Sequence, residues 1–141
     1  MSTTDTARAL VQAYYEAFNR GDRPAMLALL TDDIVHDLNQ GARETGKPAF
    51  AAFMQRMDAS YRERLEEVVV MTDAEGCRAA AEYVVHGEYL ATDSGLPEAR
   101  GQHYVLPGGA FFAIEGMGDA ARISRVSNYY NLQDWLAQVG A

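Results

Sequence analysis

The adjacent pair His36 and Asp37 is the first candidate for chemistry in this chain. An imidazole or a carboxylate can move protons, and a pKa near neutrality suits His36 to proton abstraction at cellular pH. Residues Ile34 to Asn39 are predicted as a short strand, so the two neighbours should point to opposite faces of a sheet. Asp37 reaches the same pocket as His36 only if a bulge turns it inward. A half-buried structural His36, with Asp37 bonded to backbone amides near Gly41, stays open as a second interpretation.

Further polar groups lie on the last predicted strand, residues 122–131. Strand alternation gives this segment one face with Arg122, Ser124, Val126, Asn128 and Tyr130, and a second face with Ile123, Arg125, Ser127 and Tyr129. The first face mixes an amide and a phenol with a valine. This mixture favours the wall of a polar-tipped pocket over a plain hydrophobic core.

Other kinds of site find little support in the sequence. His36, His86 and His103 lack the close spacing that is typical of zinc ligands, so we expect no metal site. Cys77 is the single cysteine and is interpreted as a small apolar filler rather than a reactive thiol. Gly108-Gly109 is followed by neither a helix nor a lysine and is no phosphate loop. We expect no bound cofactor.

The composition is that of a globular protein, with 48% hydrophobic and 23% charged residues in a chain of 141. We interpret residues 1–141 as a single domain. The net charge of −8, with Lys47 as the only lysine, argues against nucleic acid as a partner. The sequence has no secretory signal and no apolar run of the roughly 18 residues that span a membrane, so we expect a cytoplasmic protein without membrane contact.

Amphipathic spacing predicts four helices. The first two are expected over residues 5–20 and 23–30, separated by Gly21-Asp22, which supplies a left-handed turn and then an N-cap. A short last helix follows Asn131. The third helix carries an apolar stripe of Phe50, Phe53, Met54, Met57 and Tyr61.

Longer strands are predicted over residues 65–72, 77–92 and 102–115, in addition to the last strand. Gly87 is expected to mark a bulge, and Pro107-Gly108-Gly109 a bulge or a sharp bend. Helices followed by a run of strands predict an α+β fold, in which a curved mixed or antiparallel sheet wraps around the N-terminal helices. Such a curved sheet encloses a cavity against the helices.

The order of these features resembles the nuclear transport factor 2-like superfamily, and within it the branch of ketosteroid isomerases and SnoaL-like polyketide cyclases. The resemblance covers residues 5–138 and implies a cone-shaped, cystatin-like α+β roll. It rests on Asn19-Arg20-Gly21-Asp22, Leu30-Thr31-Asp32-Asp33-Ile34-Val35 and Gly46 before the Phe-rich helix. This fold hosts enzymes, binding modules and dimerisation domains. The outer sheet face often forms a dimer interface in the superfamily, which implies a homodimer here.

The resemblance also implies roles for single positions. Tyr14 matches the tyrosine that ketosteroid isomerases use as an oxyanion donor on their first helix. Leu38 occupies the place of their aspartate base, with Asp37 one residue earlier. Ala110 stands where they carry a second, protonated acid, and Tyr130 matches an aromatic residue of their pocket.

The expected function is therefore that of a pocket protein for a small apolar or amphipathic molecule with a carbonyl or hydroxyl group. As an enzyme it would resemble a cofactor-free isomerase or cyclase working by proton transfer. The predicted catalytic groups are His36 or Asp37 as the base and Tyr14 and Asn128 as donors to an enolate oxygen. The predicted pocket walls are Tyr130, Leu38, Phe53, Met57 and Ala110. A non-catalytic ligand-binding or dimerisation module of the same fold is the alternative, which the missing second acid favours.

Overall fold

The computed structural model describes residues 2–140 as four α-helices and six strands. The helices are α1 (Thr3–Asn19), α2 (Arg23–Ala28), α3 (Lys47–Ser60) and α4 (Leu132–Val139). The strands are β1 (Leu30–Asp37), β2 (Arg43–Thr45), β3 (Tyr61–Thr72), β4 (Arg78–Tyr89), β5 (His103–Glu115) and β6 (Arg122–Tyr130). The predicted α+β class is confirmed.

The strands form one curved, open, mixed sheet in the order β2-β1-β6-β5-β4-β3. Neighbouring strands are antiparallel except β1 and β6, which run parallel. The parallel pair sets His36 opposite Val126 and Asp37 opposite Ser127. The topology therefore brings the candidate pair of β1 beside the polar strand at the other end of the chain.

The hydrophobic core lies on the concave face of this sheet, under α1. The buried side chains of α1 are Ala7, Val11, Tyr14, Tyr15 and Ala17, which recur at the spacing of one helix face. Every second residue of β4 from Ala79 to Tyr89 is also buried, and the ring of Tyr83 lies 5.4 Å from that of Tyr15. The helix and the strands thus meet along one continuous apolar layer.

Two bulges expected in the sheet are not where the sequence placed them. Pairing of β4 with β3 and β5 runs through Gly87 without a register shift, and pairing of β4 with β5 runs through Pro107 in the same way. The last residue of β6, Tyr130, pairs with Gly108, so Pro107 has no partner on that strand. Its missing amide hydrogen therefore breaks no bond to β6. The register of β3 shifts instead between Glu66 and Val69.

Strand β6 departs from simple alternation at Ser124. The register between β5 and β6 skips this residue, because Ala113 pairs with Arg125 while Ile114 pairs with Ile123. The bulge puts Ile123 and Val126 together in the core, although the sequence assigned them to opposite faces. Asn128 keeps the face of Val126 and points to the concave side.

Strand β3 begins earlier than the sequence predicted. Helix α3 ends at Ser60 and the chain turns at once into extended backbone at Tyr61, with φ −134° and ψ 144°. Tyr61 and Glu63 therefore belong to the sheet and alternate with Leu65 toward the concave face. Strand β1 likewise begins four residues before its predicted start, at Leu30. Over residues 2–140 no helix is both long enough and apolar enough to cross a membrane.

Candidate functional site

A cavity of about 370 Å³ opens between the concave face of the sheet and the helices that cover it. Its volume is at the lower end of the roughly 300–1,000 Å³ that is typical of small-molecule sites. Ten aromatic side chains contribute to its wall: Tyr14, Tyr15, Phe18, Phe50, Phe53, Tyr61, Tyr83, Tyr104, Tyr130 and Trp135. Such a wall suits a flat, largely apolar molecule.

His36 is part of this wall but is almost covered by it. Its side chain is 2% exposed, and its ring lies 4.5 Å from the ring of Phe50 and 4.6 Å from that of Phe53. Burial lowers the pKa of His36 to about 4, so the imidazole is neutral at cellular pH. A neutral ring in an aromatic cage is less suited to accept a proton than the sequence alone suggested.

The second feature of His36 is its contact with Asn128. The Nε2 atom of the ring lies 3.1 Å from the amide nitrogen of Asn128. The other ring nitrogen, Nδ1, is buried and has no hydrogen-bond partner within the described chain. The ring therefore fixes the orientation of the half-buried Asn128 amide, which also lines the cavity.

Asp37 lies on the opposite, convex face of the sheet. Arg43 donates two hydrogen bonds to its carboxylate, at 2.6 and 3.1 Å, and the hydroxyl of Ser127 donates a third at 2.6 Å. The Arg43 bonds, together with the one from Ser127, lower the pKa of Asp37 to about 2. Its pairing with β2 and β6 is regular, so no bulge turns it inward, and Asp37 is not placed to act in the cavity.

Tyr14 lines the cavity from α1. Its ring is 6% exposed and packs edge-on against Tyr15 and Phe112. Burial raises the pKa of Tyr14 well above its usual value. The hydroxyl therefore keeps its proton and remains a hydrogen-bond donor.

The predicted walls divide into two groups. Leu38, Phe53, Met57 and Tyr130 line the cavity. Ala110 does not, because its short side chain is covered in the core at 1% exposure, next to Asn128 in the sheet. The position that resembles a second acid therefore offers nothing to a ligand in this chain.

A carboxylate that the sequence did not single out lines the cavity at Glu63 on β3, in addition to Asp58 and Asp93. Its carboxylate accepts a short hydrogen bond from the hydroxyl of Tyr104 on β5, and burial raises the pKa of Glu63. We did not single out Glu63 from the sequence, because it lay outside the predicted strand. The period-two series Tyr61, Glu63, Leu65 is the signal that would have found it.

Two further polar pairs border the cavity. Tyr61 donates a hydrogen bond of 2.8 Å to Asp93, which holds the loop after β4 against the site. Arg23 on α2 binds both carboxylate oxygens of Asp58 on α3, at 2.9 and 2.6 Å. Within residues 2–140 no three His, Cys, Asp or Glu side chains come together in a way that could hold a metal ion.

Comparison with known proteins identifies the family of this chain. The model of the SnoaL-like domain matches residues 11–123. The chain belongs to the SnoaL-like family. No curated protein matches it in sequence.

Solved structures of similar proteins agree with this assignment. A candidate polyketide cyclase from Xanthomonas campestris pv. campestris is 61% identical, with 97% of this chain and 98% of that chain covered and a TM-score of 0.92. A candidate polyketide cyclase from Pseudomonas putida KT2440 is 59% identical over 99% and 98% of the two chains, with a TM-score of 0.90. An LEH-like epoxide hydrolase from M. tuberculosis, 18% identical over 99% of this chain and 88% of its own, shares the fold with a TM-score of 0.72.

The SnoaL-like cavity thus combines three elements that proton-transfer chemistry needs. Tyr14 and Asn128 are hydrogen-bond donors, and Glu63 is a carboxylate that can take up or release a proton. The remaining wall is mostly aromatic and aliphatic. The SnoaL-like chain is a pocket protein of this fold, as the sequence predicted.

Proposed function

We propose that this SnoaL-like protein binds a small, flat, mostly apolar ketone or phenol in its cavity and catalyses proton transfer on it without a cofactor, as an isomerase or cyclase. The observation that carries the proposal is that Tyr14, Asn128 and Glu63 line one aromatic-walled cavity. The relatives named as candidate polyketide cyclases, at 61% and 59% identity, are consistent with a substrate of this kind.

The donors of the cavity suit a developing negative charge on oxygen. Removing a proton from the carbon next to a carbonyl leaves an enolate, whose oxygen gains charge in the transition state. Tyr14 remains protonated because it is buried, and Asn128 is held in place by His36, so neither must reorganise during the reaction. Loss of one such preorganised donor typically costs about 10²–10³-fold in rate.

His36 has a positioning role in this mechanism. Its Nε2 atom is engaged by Asn128, and its Nδ1 atom is buried without a hydrogen-bond partner in the described chain. The imidazole thus orients an oxyanion donor, whereas Asp37 binds Arg43 and Ser127 on the convex face of the sheet.

The proposed activity is tested with 2-tetralone, a flat ketone whose carbonyl-flanking C–H bonds are acidic. Exchange of these hydrogens for deuterium in D₂O is followed by NMR with and without the protein. We expect acceleration over buffer, inhibition by 2-naphthol, which resembles the enol of this ketone, and a rate about 10²-fold lower in Tyr14→Phe. Tyr129→Phe on the exposed sheet face is the matched control and should keep the wild-type rate.

Two results would contradict the enzyme proposal. One is the absence of exchange above the buffer rate. The other is an equal rate in Tyr14→Phe and Tyr129→Phe. Binding of 2-naphthol without any exchange would favour the non-catalytic ligand-binding module instead.

We also propose that the protein is a homodimer formed through the convex face of its sheet. Four apolar or aromatic side chains on this face are about half exposed: Val69, Val105, Phe111 and Tyr129. The rings of Phe111 and Tyr129 pack edge to face at 5.7 Å, and ion pairs such as Arg62–Glu88 and Arg64–Glu66 lie on the same face. Apolar side chains bordered by charged ones are typical of an interface, and a two-fold axis would pair this surface with itself.

A further inference from the structure

We infer that Glu63 is the group that accepts the proton from the substrate and returns it, and that Tyr104 positions its carboxylate. The inference rests on the proposed proton transfer in the same cavity. It names a base that the sequence placed elsewhere, at His36 or Asp37.

The geometry of the pair is built into three neighbouring strands. Glu63 on β3 pairs with Gly87 on β4, and Gly87 pairs with Tyr104 on β5. A Cβ atom at position 87 would lie 2.1 Å from Cζ and 2.5 Å from the hydroxyl oxygen of Tyr104. The tyrosine ring therefore lies across the bare backbone of Gly87 and reaches the carboxylate beyond it.

The hydrogen bonding leaves one side of the carboxylate available. Tyr104 donates to Oε2 of Glu63. The other oxygen, Oε1, has no hydrogen-bond donor among the side chains and backbone of residues 2–140. Because Glu63 lines the cavity, this oxygen is the one that can meet a substrate.

The surroundings of Glu63 support an acid–base role. Burial raises its pKa, and the hydrogen bond from Tyr104 and the charge of Arg23 offset part of this rise. Arg23 is itself paired with Asp58. The other titratable groups that face the carboxylate are the hydroxyls of Tyr83 on β4 and Tyr130 on β6, both protonated because their pKa values are raised. A carboxylate in these surroundings is a stronger base than one in water.

The reaction balances with Glu63 alone as the proton carrier. Its carboxylate takes a proton from the carbon next to the substrate carbonyl, so the C–H bond breaks and an O–H bond forms. The electron pair of the C–H bond moves to the carbonyl oxygen, and Tyr14 and Asn128 donate hydrogen bonds to the resulting enolate. In an isomerisation, the carboxylic acid returns the proton to a second carbon conjugated with the enolate. In a cyclisation, the enolate carbon attacks a second carbonyl of the same molecule, and the new alkoxide takes the proton.

The test compares Glu63→Gln with Glu16→Gln. Both remove one carboxylate, but Glu16 is exposed on α1 and is not part of the cavity wall. Deuterium exchange into 2-tetralone and the affinity for 2-naphthol are measured for each, with circular dichroism to establish folding. We expect Glu63→Gln to lose about 10²–10⁴-fold in kcat/KM and still bind 2-naphthol, while Glu16→Gln behaves as wild type.

Tyr104→Phe tests the positioning role. Because the tyrosine hydroxyl lowers the pKa of Glu63, its removal should shift the rise of the exchange rate with pH toward higher pH. A merely structural tyrosine would lower the rate at every pH without moving the profile. If Glu63→Gln does not fold, the shift of the pH profile in Tyr104→Phe and a lower exchange rate in Glu63→Asp test the role of Glu63 instead.

The outcomes separate this inference from the proposed function. Exchange in Glu63→Gln within threefold of wild type, or a pH profile that Tyr104→Phe leaves in place, would overturn the role of Glu63 and leave the proposed function standing. No exchange with the wild-type protein would overturn the proposed function, and the role of Glu63 with it.

Discussion

Tyr104 donates a hydrogen bond to Glu63 although a complete strand, β4, lies between the two strands that carry them. The bond exists because the residue between them is Gly87, whose missing side chain leaves room for the tyrosine ring. Gly87, which is paired regularly on both sides, thus allows Tyr104 to hold the Glu63 carboxylate.

Replacing Gly87 by alanine should therefore destabilise the protein and displace Tyr104. An alanine in a strand normally improves stability slightly, but here its methyl group would overlap the ring. We expect a loss of about 1–3 kcal/mol in the free energy of unfolding, as is typical of overpacking, measured by urea denaturation. In a Tyr104→Ala background the same substitution should cost nothing. Equal costs in the two backgrounds would show that the ring is not the cause.

The buried His36 should make the protein less stable in mild acid. Its pKa is lowered to about 4 in the folded state, against about 6.5 in an unfolded chain. Between these two values the unfolded chain binds a proton that the folded one does not, so stability falls as the pH falls from about 6.5 to 4. The loss attributable to this residue is on the order of 2–3 kcal/mol. His36→Gln should flatten this part of the stability curve. A curve that keeps its slope in the variant would contradict the burial of a neutral imidazole.

The opposite pH dependence is expected for Asp37. Its pKa is lowered to about 2, so the stabilisation from Arg43 and Ser127 is fully present above about pH 4 and is lost as the pH falls through 2. Because water screens this ion pair at the protein surface, Asp37→Asn should cost only about 0.5–1 kcal/mol at pH 7, and the difference from wild type should shrink toward pH 2. Asp33→Asn is the control, since Asp33 is exposed on the same strand. A difference that persists unchanged at pH 2 would argue against these bonds as the source.

The fold illustrates what sequence patterns establish well. The helix spacing, the Gly21-Asp22 junction and the run of strands led to the correct α+β roll, since these features depend on local chain conformation and on which side of each element is apolar. The bulge at Ser124 was not predicted, because pairing with β5 decides which residue of β6 stays unpaired. Gly87 was predicted to mark a bulge, but it is paired regularly and leaves room for the ring of Tyr104.

The candidate site was harder to predict than the fold. Strand alternation correctly separated His36 from Asp37, but the cage around His36 and the ion pair of Asp37 with Arg43 depend on tertiary packing. Glu63 was missed because the amphipathic stripe of α3 was extended to Tyr61, although the helix ends at Ser60. An error of a few residues in the predicted boundary between α3 and β3 was therefore enough for Glu63 to be missed.

The convex sheet face provides a test of the proposed dimer. Phe111→Lys or Tyr129→Lys would bury a charge in the interface, so we expect the molar mass in light scattering to fall from twice the 15.5 kDa chain mass to that of one chain. Met117→Lys is the control, because Met117 is exposed near the turn before β6, away from this face. A wild-type protein of one chain mass, or a dimer that survives both substitutions, would exclude this interface.

The most direct test of the central proposal is a crystal structure of the protein with 2-naphthol. We expect the naphthalene ring inside the cavity of about 370 Å³, against its aromatic wall, and the hydroxyl within hydrogen-bonding distance of Tyr14 or Asn128. Oε1 of Glu63 should face the ring carbon next to the hydroxyl-bearing carbon. A cavity that holds only water at saturating 2-naphthol, or a ligand whose oxygen points away from these donors, would contradict a site for proton transfer at a carbonyl.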